Sequence, residues 1–526
     1  MQRWRVLDAL AGLLAFAVAA AFAELIAAVV TVVSPIVAVG DGVIRLAPAA
    51  AVHFATSTFG TYDKPVLLSV IVVITLVFGA LVGMAARTRP MIATIGFTAW
   101  WAVCSIAVWA DQTMVVAAGA VIGGAALAGC FALNQMLAAR LPTERILVEP
   151  ASQPTSANDP RQRTPSRRAF FTWAAASAGA SAVAAAGAQR LGGRYVDVEA
   201  ERRAIVLPAA QSPLRAVPPG AALDTPGLSP LITPNSEFYR IDTALSVPRV
   251  DLEKWRLRIT GMVERPLELT YAELATMPIA EADVTLTCVS NEVGGKLLGN
   301  ARWLGVPLPA LLERAGVHAG ATQIVGRSVD GFTAGFPTEV ALDGRAAMVA
   351  LAMNGQVLPT EHGFPARLVV PGLYGYVSAT KWLTEIHLTT LEAFDAYWIP
   401  RGWSKLGPIK TQSRIDVPTR GRTIPAGRTP IAGVAWGGIR SISKVEVRVT
   451  ATSTKDAPWM MARLGDPLSH STWRQWVLEW DAQPGEYDIT VCATDGDGET
   501  QTQDSAAPAP SGATGWHTIR IKVADR

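Results

Sequence analysis

Thr285-Leu286-Thr287-Cys288-Val289-Ser290-Asn291-Glu292-Val293-Gly294-Gly295 is the stretch on which the reading of this chain turns. Val284, Leu286 and Cys288 alternate with Thr285 and Thr287, the period of a half-buried strand, so the cysteine sits at a strand end where the chain loosens into a polar, glycine-followed loop. Strand ends that deliver side chains into loops are where sites form. An isolated cysteine is more often a small buried hydrophobe than a reactive group, and only its surroundings raise its standing. Here they do, because Gly294 and Gly295 let backbone approach a bulky ligand closely.

Upstream, Trp255, Leu257 and Ile259 alternate with Arg256, Arg258 and Thr260 as a strand that Gly261 ends. Thr270-Tyr271-Ala272-Glu273 is a capping box opening a short helix. Downstream, Pro307 to Ala315 reads as a helix, and 321–329 and 366–371 as strands. Further strands are expected at Val445 to Val449 and Tyr487 to Val491, with a turn at Gln483-Pro484-Gly485, the pattern of a β-sandwich. Asp495-Gly496-Asp497-Gly498-Glu499 reads as a hairpin turn, being too short for a calcium-binding hand. Cys492, Trp473 and Trp476 read as core.

The 526 residues are 50% hydrophobic and only 17% charged, too apolar for one ordinary soluble domain. The excess lies in the first 190 residues. Segments 9–33, 66–86, 91–110 and 114–139 each match the length of a helix crossing about 30 Å of hydrocarbon and carry at most one charge. Arg3, Arg5, Arg87, Arg89, Arg140, Arg145, Arg161, Arg163, Arg167 and Arg168 place the N-terminus, the second loop and the 141–168 linker inside by the positive-inside rule. A fifth apolar run, 169–189, follows Ser166-Arg167-Arg168-Ala169-Phe170-Phe171 and is either a fifth span or a twin-arginine-like export segment, with Ala186-Gly187-Ala188 as a small-residue cleavage pattern. Both readings put the rest outside a cytoplasmic membrane that the chain crosses several times. Glu24 is the one carboxyl deep in the first span.

With 46 basic and 43 acidic residues, the net charge of +3 is no field for holding nucleic acid. The four cysteines show neither CxxC nor metal-ligand spacing, which excludes a disulfide scaffold and a zinc ribbon. All six histidines lie outside the apolar spans and there is no CxxCH, so no haem is expected in this chain.

An ordered set of short matches then makes a resemblance specific: Asn235 with Phe238-Tyr239-Arg240, Cys288 with Asn291, Gly299-Asn300-Ala301-Arg302-Trp303-Leu304-Gly305-Val306-Pro307-Leu308, Met353-Asn354-Gly355, His362-Gly363-Phe364-Pro365-Ala366-Arg367, Pro371-Gly372 and Lys381-Trp382. In these, residues of about 230 to 400 resemble the molybdopterin-binding domain of the sulfite oxidase family, and roughly 410–526 resemble the β-sandwich that follows it there. The implied fold is N-terminal transmembrane α-helices, an α+β molybdopterin-binding domain and a C-terminal Ig-like β-sandwich. The implied layout is a four-helix module over 1–140, the 141–168 linker, the 169–189 segment, the catalytic domain over 205–400 and the sandwich over 405–526.

The resemblance implies a molybdenum-molybdopterin cofactor with Cys288 as its thiolate ligand, a soft donor that suits such a metal. Arg367 and Lys381 match the family's phosphate and pterin contacts, and His362 a pterin contact. Asn235, Phe238, Tyr239, Ser378 and Thr380 are further cofactor candidates, while Arg240 and Trp403 are candidates on the substrate side. Asn291, part of the same match, has a second reading as the cap of its own loop. Departures concern substrate: the family's arginine-rich continuation after the cysteine is here Glu292 and Gly294-Gly295, the position near its histidine holds Asp242, and Trp403 lies nearest its substrate-side tyrosine. The expected activity is two-electron oxygen-atom transfer on a small oxyanion or S-oxide, coupled to an electron partner the sequence does not name. A homodimer through the sandwich is implied weakly. The rival expectation is a non-catalytic, membrane-tethered binding or assembly module.

Overall fold

A computed structural model describes residues 2–30, 34–48, 51, 54–55, 58–59, 62–110, 115–139, 167–191, 198–454 and 456–525. The expected linker therefore lies outside the described residues as far as position 166. The chain forms two compact units, 1–197 and 198–526.

In the first unit the expected spans are helices: α1 (Gln2–Val30), α3 (Asp63–Ala86), α4 (Met91–Ala110), α5 (Val115–Ala138) and α6 (Arg167–Leu191), with α2 (Pro35–Leu46) between the first two. Sequence reading missed α2, although Ser34 accepts from the Val37 amide and Pro35 opens the helix, the standard start signals. Among the described residues, Arg5–Val30, Asp63–Ala86, Met91–Val108 and Arg168–Leu191 are long and apolar enough to cross a membrane; Ile122–Ala138 is a shorter apolar segment. The expected fourth span is a continuous helix, α5. Helix α1 is central: Ala11, Ala15, Phe16 and Ala19 share one buried cluster with Val82 of α3, Phe97 of α4, Leu133 and Met136 of α5 and Phe170 of α6. Phe16 stacks on Phe97 with centroids 4.3 Å apart. Gly12, Gly79 and Gly83 let α1 and α3 touch backbone to backbone, as small residues do at close helix contacts. Glu24 accepts from Ser34 Oγ at 2.9 Å and the Ile36 amide at 3.2 Å, so this carboxyl caps α2.

Among its described residues the second unit forms four sheets. In chain order the strands are β1 (Leu257–Gly261), β2 (Leu267–Leu269), β3 (Ala280–Thr287), β4 (Leu298–Pro307), β5 (Gln323–Ser328), β6 (Thr333–Pro337), β7 (Met348–Met353), β8 (Gln356–Val357), β9 (Arg367–Val369) and β10 (Leu383–Thr389). They make one sheet ordered β2-β1-β10-β5-β6 and a second ordered β3-β4-β7-β8, with β9 pairing β7. Only short helices accompany them, as an α+β domain requires: Tyr271–Thr276, whose capping box from Thr270 and Glu273 is present, and Leu308–Ala315, stopped by Gly316 at φ +70°.

After these come β11 (Gln412–Val417), β12 (Thr423–Pro425), β13 (Gly427–Trp436), β14 (Ile442–Ala451), β15 (Trp459–Met461), β16 (Arg463–Leu464), β17 (Arg474–Ala482), β18 (Gly485–Asp495) and β19 (His517–Ala524). Sheets ordered β11-β13-β17-β16 and β12-β19-β18-β14-β15 close on one shared core that includes Ile431, Trp476, Val445, Val447, Ile489 and Ile519. The Asp495 turn is as read: its carboxylate accepts from the amides of Asp497 and Glu499 and pairs with Arg440 at 2.7 Å.

Replacing Gly83 by Leu would drive a side chain into the Gly12 backbone. Overpacking of this kind costs about 1–3 kcal/mol or more. The variant should unfold at a clearly lower temperature in detergent, read by circular dichroism, whereas Gly124→Leu, with open space at that position, should not.

Candidate active site

β3 and β4 pair without a bulge from Ala280↔Gly305 to Thr287↔Leu298, which carries Cys288 to the rim of the sheet. The loop that follows closes on itself. The Cys288 amide donates to Leu297 O at 2.9 Å, the Asn291 amide donates to Cys288 O at 3.1 Å, and Asn291 Oδ1 accepts from the Leu297 amide at 2.8 Å. Asn291 therefore caps its own loop, the second of its two readings. The sandwich braces the far side: Arg414 donates to Gly295 O at 2.9 Å, and Gly294, at φ +77°, lies against the His517 ring so closely that a Cβ there would collide with it.

Cys288 faces a cavity of about 890 Å³, its mouth included. Phe238, Tyr239, His362, Arg367, Lys381 and Trp403 face the same space. Burial pushes the Cys288 thiol above its ordinary range, so an unliganded sulfur there stays protonated and a bound metal cation is what would turn it into thiolate.

Arg367 opens β9 through its pairing with Ala350 and is 5% exposed. Its Nη1 donates to His362 O at 3.1 Å and its guanidinium lies 5.0 Å over the Trp303 ring. Its Nε has no hydrogen-bond partner, and no ion pair among the described residues includes it. Desolvation drags its pKa down to about 10. A buried cation without a counter-charge is costly.

His362 ends a short helical turn, and its Nε2 lies 2.9 Å from Asn235 O. That carbonyl can only accept, so Nε2 carries the proton. Burial lowers the His362 pKa to about 4, helped by Arg367 and Lys381, and the ring is neutral near pH 7. Phe238 meets Trp303 and His362 edge to face, at 5.9 and 5.6 Å, and packs where a Cβ on Gly299 would stand. The Tyr239 phenol lies close enough to Cys288 and Arg367 to feel both, with burial holding its pKa far above the usual value. Lys381 Nζ donates to Asp242 Oδ2 at 2.7 Å and Glu361 O at 3.1 Å; burial lowers its pKa to about 8 despite that carboxylate. The next residue, Trp382, holds a left-handed φ of 48°, strained for a bulky side chain and secured by its indole donating to Thr360 O at 2.8 Å.

Four sequence candidates do not face the cavity. Asn235 supports it from behind, bonding Met353 O, Gln356 and Asn354 while its carbonyl holds His362. Ser378 is fully buried and donates to Tyr374 O at 3.0 Å within its own helical turn. Thr380 lies under the floor, packed against Gly326 with its hydroxyl unpartnered. Arg240 reaches Asp242 at 3.2 Å from outside, its side chain 45% exposed. Asp330, Ser328, Phe332, Tyr376 and Trp398 face the cavity and were not named from sequence. Only Trp398 had a local signal, its place in the aromatic run Tyr397-Trp398 to Trp403. The others arrive from loops after β5 and β9 that no periodicity connects to residue 288.

A buried thiol, a neutral imidazole and an uncompensated guanidinium face one cavity on an α+β frame. The family described as oxidoreductase molybdopterin binding domain matches residues 244–398. Mitochondrial sulfite oxidase of Macaca fascicularis is 30% identical over 365 residues, 60% of this chain and 65% of that protein. A nitrate reductase [NADH] of Brassica napus is 32% identical over 180 residues, 29% of this chain and 20% of that protein. The solved sulfane dehydrogenase SoxCD of Paracoccus pantotrophus superposes with a TM-score of 0.49 at 23% identity, covering 63% of this chain and 90% of that one. Residues 244–398 are thus similar to the molybdopterin-binding domain of oxidoreductases, and 60% of the chain is similar to sulfite oxidase. The chain spans about 65% of the length of the first mammalian relatives it matches.

His362 makes the stability of the cofactor-free chain acid-sensitive. Its folded pKa of about 4 lies below the ordinary 6.5, so the unfolded chain binds the extra proton and stability falls as pH drops from about 6.5 towards 4. His362→Gln, which keeps a donor for Asn235 O, should remove of order 2 kcal/mol of that loss. Denaturant midpoints at pH 7 and pH 4.5 measure it.

Proposed function

We propose that this chain is a membrane-anchored molybdoenzyme catalysing two-electron oxygen-atom transfer on a small oxyanion or S-oxide, with its catalytic unit on the extracytoplasmic side. The observation that carries the proposal is the pair formed by Cys288 and Arg367, a buried thiol and a buried, unbalanced guanidinium facing one cavity. Arg367 offers its planar fork to the anionic end of the pterin, His362 and Lys381 its polar edge, and Phe238 and Tyr239 its faces; Cys288 is the metal ligand. When bound, the cofactor supplies the two-electron couple and the site of oxygen exchange. The protein's own part is to hold the pterin, exclude water with an aromatic mouth of Trp403, Trp398 and Tyr376, and orient substrate beside Cys288. Asn235, Ser378 and Thr380 support this frame from behind, and Arg240 acts only through Asp242. In the reducing sense two electrons and two protons leave with the oxygen as water; in the oxidising sense water donates the oxygen and an electron-accepting partner takes the pair.

Five apolar helices, α1 and α3 to α6, and the arginine distribution support the anchored, outward-facing reading. The twin-sheet C-terminal part is read as an Ig-like sandwich, a candidate surface for a second copy of the chain.

Metal analysis of full-length chain produced with ample molybdate should find about one molybdenum per chain, and Cys288→Ser should lose it together with turnover while keeping its unfolding midpoint within about 1–2 kcal/mol. Molybdenum-free wild-type protein would favour the binding-module alternative. Replacing Arg167 and Arg168 by Lys should leave the second unit protease-protected inside cells if that pair is an export signal; unchanged delivery would identify α6 as an ordinary span.

A further inference from the structure

Between β18 and β19 the chain leaves the sandwich in a compact loop over 504–514 that bonds mainly to itself and to the catalytic half. Its base is closed by Ala506 and Thr514, whose amides donate to each other's carbonyls at 3.1 and 3.2 Å, and by the Thr514 hydroxyl, which donates to Asp504 O at 2.7 Å. Its tip is closed by the Gly512 amide, which donates to Pro508 O at 2.6 Å. None of its residues belongs to the core that the two sheets share, so the packing of the sandwich does not account for it.

The loop holds the segment 404–412, which runs from the cavity wall into β11. The Ser404 amide donates to Pro510 O at 3.0 Å, Lys410 Nζ to Gly512 O at 2.7 Å and Gln412 Nε2 to Ala513 O at 2.6 Å. Gly512, at φ +93°, gives the space its Cβ would fill to the Tyr374 phenol. The held segment in turn carries the wall. Trp403 precedes Ser404, the Ser404 carbonyl accepts from the Tyr376 phenol at 2.6 Å, and the Tyr374 amide donates to Gly407 O at 2.7 Å. Trp403 and Tyr376 both face the cavity, with ring centroids 5.8 Å apart. Ser404 is thus fixed at both ends, its amide by the sandwich and its carbonyl by the wall.

We propose that the 504–514 loop is a strap that sets the width of the cavity mouth: through Ser404 and Lys410 it holds Trp403 and Tyr376 in place, so that the sandwich decides by size which molecules reach Cys288. Lys410 is a positioning residue, and its ammonium makes the charge-assisted bond of the set. The inference concerns access and stands whether or not the chain is a molybdoenzyme.

The test reads entry to the cavity, not turnover. Full-length, cofactor-free chain in detergent is treated with iodoacetamide as the small thiol reagent or fluorescein maleimide as the bulky one, and labelling of the peptide that bears Cys288 is followed by mass spectrometry. In one variant residues 507–513 are replaced by Asn-Gly, a two-residue turn that the Ala506–Thr514 pair can carry as a hairpin. The bulky reagent should label this variant about tenfold or more faster than wild type, and the small reagent within about twofold of the wild-type rate. Lys410→Met should raise bulky labelling about threefold, whereas Lys410→Arg, which keeps a charged donor, should match wild type. Unfolding temperatures should not move, which separates a widened mouth from a loosened fold. Bulky labelling at the wild-type rate in the trimmed chain overturns the proposal, as does equal acceleration of both reagents. If the trimmed chain does not fold, the Lys410 pair decides alone, and equal bulky labelling of the Met and Arg variants overturns it. Molybdenum content, measured separately, bears only on the reaction, so either idea can fail without the other.

Discussion

Arg367 carries a full positive charge into a place where the protein supplies it with one backbone carbonyl, one indole face and no carboxylate. Nothing in folding alone rewards that. A guanidinium so desolvated persists because the surrounding structure is strong enough to hold it. The frame around it is tightly braced. β9 fixes the arginine, the His362 turn is locked by Asn235 O and by Trp382, and Phe238 fills the space that Gly299 leaves open. Cys288 completes the enclosure from the other sheet edge.

The sandwich is part of the same enclosure. Trp473 is buried with the first domain's core, its indole donating to Leu231 O at 2.9 Å and its amide to Thr285 Oγ1 at 2.8 Å. The Thr285 amide in turn donates to Ser471 O, so the edge of β3, three residues before the cysteine, is paired with a loop that precedes β17. Arg414 links Gly295 to Ser229 and Asp416 from β11. The loop bearing Cys288 is therefore clamped between two β structures, and its rigidity follows from packing on both sides. Whatever else the sandwich does, the catalytic half is not closed without it.

Much of this was legible from residues alone. Period-2 alternation located β1, β3 and parts of β14 and β18; a capping box located one short helix and Pro307 to Ala315 was read as another; long apolar runs located α1 and α3 to α6. Ordered short motifs pointed to Cys288, His362, Arg367, Lys381, Phe238, Tyr239 and Trp403, all of which face one cavity. Less legible were α2, whose twelve residues look like a connection between apolar runs, and the direction in which Ser378, Thr380, Asn235 and Arg240 point. Motif membership says that a residue lies near a site; whether its side chain turns towards the cavity or into the scaffold depends on one or two backbone dihedrals.

What the sequence determined by itself was the kind of element at each place and the chemistry each residue offers, because hydrophobic period, caps and side-chain type act over a few neighbours. Charge balance was decided only in three dimensions. Asp242 is separated from Lys381 by 139 positions, and Asp330 and Trp398 come from loops far from Cys288 along the chain. Which cations remain free inside a cavity depends on distances of 3 Å between such remote groups, and a string of residues contains no such distances.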